Sequence, residues 1–434
     1  MTRLLLTGGR LVDPAAGRDG PGDVLIDGDR IVAVAAVGKA GSAETVLDCT
    51  GRLVVPGLID VHVHLREGPP ATASPPPAET IASGAAAAVA GGFTTICAMP
   101  NTVPPVDSAE AVAWTVARGR EAGLARVLPV GCLTAGREGT RPADLAAMRA
   151  AGAVAFSDDG ADVADDAVFD AVLRQAARLG VPVLCHCENA ALAAGGVVHD
   201  SPVAMMLGLP GLSREAEDVA VDRACEAARR TGCRVHIQHV STEGAVEVVR
   251  RAKAGGAPVT AEATPHHLTL VVEDLLGRQT VFKVNPPLRT GHDVDAVLRG
   301  VCDGTIDCLA TDHAPHTAAA KARRLAEAPF GMIGLESALA VYAGALVETG
   351  LLTWEQLVDR MTVGPARVLG IEPPTLTPGA VADITIIDPA ARWTVDPERF
   401  ASMARNCPFA GREVGGRAAR TLVGGRIVYQ GAGG

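Results

Sequence analysis

Residues 58–66 read LIDVHVHLR, an apolar run ending in two imidazoles two residues apart. Side chains alternate along a strand, so His62 and His64 point the same way. Two imidazoles aimed into one space make a poor core and a good start to a metal site. Similar donors recur downstream, each just beyond an apolar run: Ser157-Asp158-Asp159-Gly160, His186, His239 and Thr311-Asp312-His313. Neutral imidazoles and carboxylates suit Zn2+, or Mn2+, Co2+ and Fe2+ in a similar cage. Four histidines and at least two aspartates exceed the needs of one tetrahedral zinc. They suit two divalent ions sharing a bridging carboxylate and a bridging hydroxide, which generates a nucleophile at neutral pH.

Such donors need a frame that brings distant strand ends together. The middle of the chain, about 56–365, alternates apolar strands with Ala-rich helical stretches. Candidate strands are Leu58–His64, Thr94–Met99, Arg126–Gly131, Ala153–Phe156, Val181–His186, Arg234–His239, Val259–Ala263 and Asp307–Thr311. Candidate helices between them include Glu79–Ala90 and Ser213–Arg230, with Ser213 as N-cap and Gly232 as C-terminal stop. This pattern predicts an α/β fold, a (β/α)8 TIM-like barrel whose active site lies at the C-terminal strand ends. An open doubly wound sheet would want a Gly-rich phosphate turn after its first strand, and none stands there. Strand-like runs near both termini, such as Arg30–Val34 and Asp383–Ile387, predict a small β-sandwich domain built from the two chain ends. The expected division is 1–55 plus 366–434 for that domain and 56–365 for the barrel.

Composition limits the function classes. The chain has 434 residues, 48% apolar and 20% charged, so a large core is expected and wholesale disorder is not. A net charge of −10 without a basic stripe argues against nucleic-acid binding. No apolar run has the roughly 18 residues of a membrane span, and no signal-peptide pattern opens the sequence, so a cytoplasmic location is expected. The 10 cysteines are scattered and read as reduced, packed thiols. Cys185 and Cys187 flank His186 but have no second pair at zinc-ribbon spacing.

HVHLR at 62–66, MPNT at 99–102, FSDDG at 156–160, HCEN at 186–189, HVST at 239–242, TPHHL at 264–268, NPPLR at 285–289 and ATDHAPH at 310–316 follow in this order. Together they resemble the bacterial type I dihydroorotases of the amidohydrolase superfamily, over essentially the whole chain. The resemblance implies that His62, His64 and Asp312 bind one metal, that His186 and His239 hold a second, and that Asp159 bridges them. Two divalent ions per subunit, zinc foremost, are implied. The implied reaction opens the cyclic amide of L-dihydroorotate, or closes it from N-carbamoyl-L-aspartate in pyrimidine synthesis, with Asp312 as general acid and base.

A free carboxylate on that substrate calls for a cationic fork, and Arg66 lies two residues beyond His64. By resemblance Asn101 and His316 complete the grip, Asn285 reads the polar edge of the substrate, and the backbone around Ala328, Phe330 and Gly331 borders the ring. His236, His266 and His267 read as supporting residues. Lys321 to Phe330 resembles the family's mobile loop.

The chain departs from the family pattern after Glu67, where GPPATASPPPAET is longer, Pro-rich and has Ala78 in place of a common Lys. A stiff extended excursion beside the site is expected there. Hydantoinases, dihydropyrimidinases and allantoinases are the alternative in the same class, usually with a carbamylated Lys bridge and without the Arg66 and Asn101 clamp. An inactive scaffold for aspartate transcarbamoylase is the alternative outside it; such homologues lose metal ligands that this chain keeps. The resemblance carries a homodimer as a family expectation and leaves room for a complex with aspartate transcarbamoylase.

Overall fold

Short runs of Val, Ile, Leu and Ala without a polar face must be covered on both sides, which favours parallel strands under helices. The structure, a computed structural model, describes residues 3–69, 77–193, 195–277 and 279–431. Most of the Pro-rich segment 68–77 therefore lies outside the described residues. Eight strands follow one another in chain order: Leu58–Val63, Phe93–Ala98, Arg126–Gly131, Ala155–Phe156, Val183–Cys185, Val235–Ile237, Val259–Ala263 and Cys308–Leu309. Each neighbouring pair is parallel. The ring closes just past the last strand, where Val63 bridges His313 and the His64 N–H donates to the His313 carbonyl at 2.9 Å. This is the (β/α)8 barrel.

Several strands are shorter than expected, and the lost residues lie at the mouth. Arg234–His239 contracts to Val235–Ile237, and Asp307–Thr311 to Cys308–Leu309. His239 and Asp312 have left extended backbone for positive φ, at 35° and 46°. The donors stand on the turns that follow the strands.

Helices pack outside the ring. Thr80 caps Ile81–Ala90 in a reciprocal capping box with Ser83. The helix Glu215–Thr231 corrects one expectation: Arg214, not Ser213, occupies the cap position, in helical backbone. Ser213 still contributes, because its Oγ accepts from the Ala216 N–H at 3.3 Å. Gly232 ends the helix at φ 70°, a left-handed conformation that favours glycine. With aromatics at only 3%, the interior is filled mainly by aliphatic side chains. Tyr342 is an exception, fully buried with its O–H donating to the Ala310 carbonyl at 2.7 Å.

Both chain ends enter a second sheet of eight strands. Leu53–Pro56 from the N-terminal side pairs antiparallel with Ile384–Thr394 from the C-terminal side, Ile384 opposite Pro56. Thr45–Asp48 and Leu53–Pro56 both pair in parallel with Arg3–Asp13, so the sheet branches there and folds over its own core. Leu4, Leu6, Val24, Ile26, Ile384, Ile386 and Leu422 meet in that core. Thr385 and Thr421 donate their hydroxyls to the Gly92 and Val89 carbonyls, at 2.6 and 2.7 Å, which ties the sheet to the barrel. Among the described residues no helix is long and apolar enough to cross a membrane.

Candidate active site

The first barrel strand carries His62 to the mouth with no side-chain exposure. Its Nδ1 lies 2.6 Å from Glu262 Oε1. A carboxylate there accepts the Nδ1 proton; burial opposes charge on the ring, but Glu262, Asp312 and Asp159 outweigh it and hold the imidazole well above its ordinary pKa, so a divalent ion would take the place of the Nε2 proton. That Nε2 sits 3.3 Å from Asp159 Oδ1 and 3.5 Å from Asp312 Oδ1. His64 repeats the arrangement: Nδ1 is 2.8 Å from Asn101 Oδ1, and Nε2 is 3.0 Å from Asp312 Oδ1 and 3.5 Å from Asp159 Oδ2. On the other side of Asp159, His186 Nδ1 and His239 Nε2 approach to 2.9 Å.

The donor atoms of His62, His64 and Asp159 lie within 4.8 Å of one another, and so do those of Asp159, His186 and His239. Asp159 belongs to both groups. Its neighbour Asp158 is turned away, its Oδ1 accepting from the Leu133 N–H at 2.9 Å and the Thr134 N–H at 3.2 Å. Metal bonds of about 2.0–2.2 Å at tetrahedral angles put neighbouring ligand atoms roughly 3.3–3.6 Å apart. The spacings around His62 and His64 are close to that range. His239 Nδ1 is also buried with no hydrogen-bond partner. Burial, then the His186 and His62 imidazoles, push His239 down to about 3, so it is a neutral ring with a lone pair. Burial opposes ionisation of Asp159, but His64 and His62 outweigh it and hold the carboxyl well below its usual range. Facing lone pairs and anions are what divalent cations satisfy, so the donor set fits metal ions.

A cavity of about 360 Å3 opens over this cluster. Most of the residues expected at the site line it: His64, Arg66, Asn101, Asp159, His186, His239, Asn285, Asp312, His316, Phe330 and Gly331; His62 and Ala328, also expected there, are not among the lining residues. Arg66 donates Nε to the Pro315 carbonyl at 3.3 Å, and among the described residues no carboxylate lies in an ion pair with it. Asn285 donates Nδ2 to Glu188 Oε2 at 2.8 Å while its Oδ1 is buried without a partner.

Two residues expected to grip substrate are engaged within the protein. Asn101 orients His64 and donates Nδ2 to Asp159 Oδ2 at 2.9 Å. His316 donates Nε2 to the Phe330 carbonyl at 2.6 Å. Burial, then the Arg66 and Lys321 charges, push His316 down to about 3, so it is neutral. Arg66 is thus the permanent cation among the lining residues.

Backbone strain marks the same place. Among the described residues, four non-glycines have positive φ: Arg66, Arg137, His239 and Asp312. Such conformations cost about 1–3 kcal/mol each and persist where function requires them. Arg137, which the sequence did not single out, donates to the Asp159 carbonyl. Glu262 was missed as well: it is fully buried, holds His62, and takes His236 Nε2 at 3.0 Å. The signal was a glutamate inside the apolar strand Val259–Ala263, because a buried charge needs a partner. Asp60 in LIDVHVH is a similar case; its Oδ1 accepts the His62 N–H at 3.0 Å and the Thr311 N–H at 3.2 Å, joining first and last strands. His236 supports Glu262, as expected. His267 bonds Thr264 and the Pro286 carbonyl, and neither His266 nor His267 joins a metal-holding group. All ten cysteines are free.

A family profile described as dihydro-orotase-like matches residues 51–245. A dihydroorotase from Pelotomaculum thermopropionicum is 51% identical over 429 residues, covering 99% of each chain. One from Anaeromyxobacter dehalogenans is 46% identical over 98% of each chain. Among solved structures, an L-hydantoinase (dihydropyrimidinase) from Arthrobacter aurescens superposes with a TM-score of 0.86 at 26% identity, covering 99% of this chain and 96% of that one. A D-hydantoinase from Thermus sp. gives 0.82 at 24%, over 98% and 95%. The hydantoinase likeness is in fold at lower identity; the dihydroorotase likeness extends through the sequence.

Proposed function

The chain belongs to the dihydroorotase family, and from that premise we propose how its residues carry the activity. It is a cyclic amide hydrolase that interconverts L-dihydroorotate and N-carbamoyl-L-aspartate, a step of pyrimidine synthesis. The observation that carries the residue assignments is the single cavity in which the donor cluster and the Arg66 guanidinium face one another. His62, His64 and Asp312 would hold one divalent ion, His186 and His239 a second, and Asp159 both, with zinc the metal that suits these ligands best. When bound, the ions supply a nucleophile from water at neutral pH and draw charge from the amide carbonyl.

The chain's own groups do the rest. Arg66 anchors the substrate carboxylate, and Asn285 Oδ1 accepts from the ring or carbamoyl N–H. Phe330 and Gly331 form the wall beside the ring. In hydrolysis the water oxygen bonds to the carbonyl carbon and the ring C–N bond breaks. Asp312 accepts the water's proton and returns it to the leaving nitrogen. In ring closure the same carboxylate works in reverse, taking a proton from the attacking nitrogen. The division into a terminal β domain, 1–55 with 366–434, and a barrel, 56–365, belongs to the same proposal. So do a cytoplasmic location and a homodimer. A complex with aspartate transcarbamoylase is compatible with it.

Purified, metal-loaded protein is expected to prefer dihydroorotate over dihydrouracil, hydantoin and allantoin assayed side by side. A preference for dihydrouracil would overturn the reading. Arg66→Ala is expected to raise KM for dihydroorotate by roughly 10- to 100-fold, the scale of a lost charge-assisted bidentate contact. An unchanged KM would remove Arg66 from the carboxylate site.

A further inference from the structure

Asn406 lies between the strands Ile384–Thr394 and Glu413–Val423, in the C-terminal part of the chain, and is buried. Its side chain reaches the barrel mouth. Oδ1 accepts the His316 N–H at 3.2 Å. Nδ2 donates to the Ala314 carbonyl at 3.1 Å and the Gly331 carbonyl at 3.2 Å. Its own carbonyl accepts the Ile333 N–H at 3.1 Å. Ala314, His316 and Gly331 all line the catalytic cavity.

One primary amide thus joins the loop after the last barrel strand to the loop carrying Phe330. Only a group with one acceptor and two donors in a plane fits these partners. The junction has little slack. Gly331 stands at φ 125°, and a Cβ there would lie 2.8 Å from the Ala314 Cβ. His316 passes the constraint on by donating to the Phe330 carbonyl. A shift at Asn406 therefore bears first on the backbone of three cavity residues; of the metal-holding side chains only Asp312 shares that loop, while His62, His64, Asp159, His186 and His239 stand on other strand ends.

We propose that Asn406 is a positioning residue for substrate binding: it sets the cavity wall of Ala314, His316 and Gly331 that faces the Arg66 side. This makes the C-terminal segment part of the binding site. The inference rests on the reading in which Arg66 anchors the substrate carboxylate in this cavity.

The test compares Asn406→Ala, Asn406→Asp and Arg66→Ala in the full-length, metal-loaded protein, measuring KM, kcat, metal content and thermal midpoint. For Asn406→Ala the expected result is a KM for dihydroorotate raised about tenfold, kcat within about threefold of the parent, and metal content unchanged. Asn406→Asp keeps the shape but turns an anionic oxygen toward two carbonyls, so its KM should rise further. Asn406→Ser keeps one donor, should fall between parent and alanine, and serves if the alanine variant does not fold. A lower thermal midpoint with unchanged KM in all folded variants would mean a merely structural role and overturn the proposal. If Arg66→Ala raises KM and the Asn406 variants do not, this inference fails and the proposed function stands. If neither raises KM, the carboxylate reading fails and takes the inference with it.

Discussion

Asp312→Asn is expected to lower kcat by at least about 10^3, within the range for loss of a positioned proton-transfer group, with the fold intact. Asp312 is only 4% exposed and lines the cavity. Burial disfavours its charge, yet His62 and His64 outweigh that and hold the carboxyl well below its usual range. It is therefore ionised at neutral pH, and the proton-transfer role rests on its place beside the donor cluster; an amide in its place can neither take up nor return a proton. Both directions of the reaction should fall by the same factor, since one group serves both. Because Asp312 also faces His64 Nε2 at 3.0 Å, metal content must be measured alongside. Lost turnover with full metal content assigns the effect to proton transfer. Activity above a tenth of the parent's would remove Asp312 from that role.

Stripping the metal with a chelator should abolish turnover to a similar extent, and added zinc should restore it. The expected stoichiometry of the restored protein is about two ions per chain, because Asp159 belongs to both donor groups. Thermal midpoint supplies a readout independent of catalysis. A ligand that binds only the folded state stabilises it by mass action, so the stripped protein should unfold at lower temperature and regain the difference with zinc. Full activity in metal-free protein would sink the metal assignment. Restoration at one ion per chain would reduce the cage to a single site.

Much of this site was legible along the chain because barrel strands advertise it. Each apolar run stops at a polar residue, and the C-terminal ends of such runs converge in a closed parallel barrel. That is how His62, His64, Asp159, His186, His239 and Asp312 could be grouped before any coordinates. The partners that hold them were harder to find. Glu262 lies 200 residues from His62, and Asn406 lies 90 from His316. Neither separation carries a periodic signal, since such pairs are set by ring closure and by how the chain's C-terminal part packs on the barrel.

Asn101 and His316 show a different limit. Their residue types allow a carboxylate grip and both line the cavity, but residue type does not name the protein groups that hold such side chains in place. Here the neighbours are His64 and Asp159 for Asn101, and the Phe330 carbonyl for His316. The order of residues by itself determined the barrel, the donor types and the reaction class, because burial patterns and ligand chemistry are written locally in alternation and residue type. Only the tertiary structure decided what holds Asp158 away from the imidazoles, which residues orient them, and which C-terminal side chain braces the cavity. Those choices depend on directions and distances between segments, which exist only after the ring has closed.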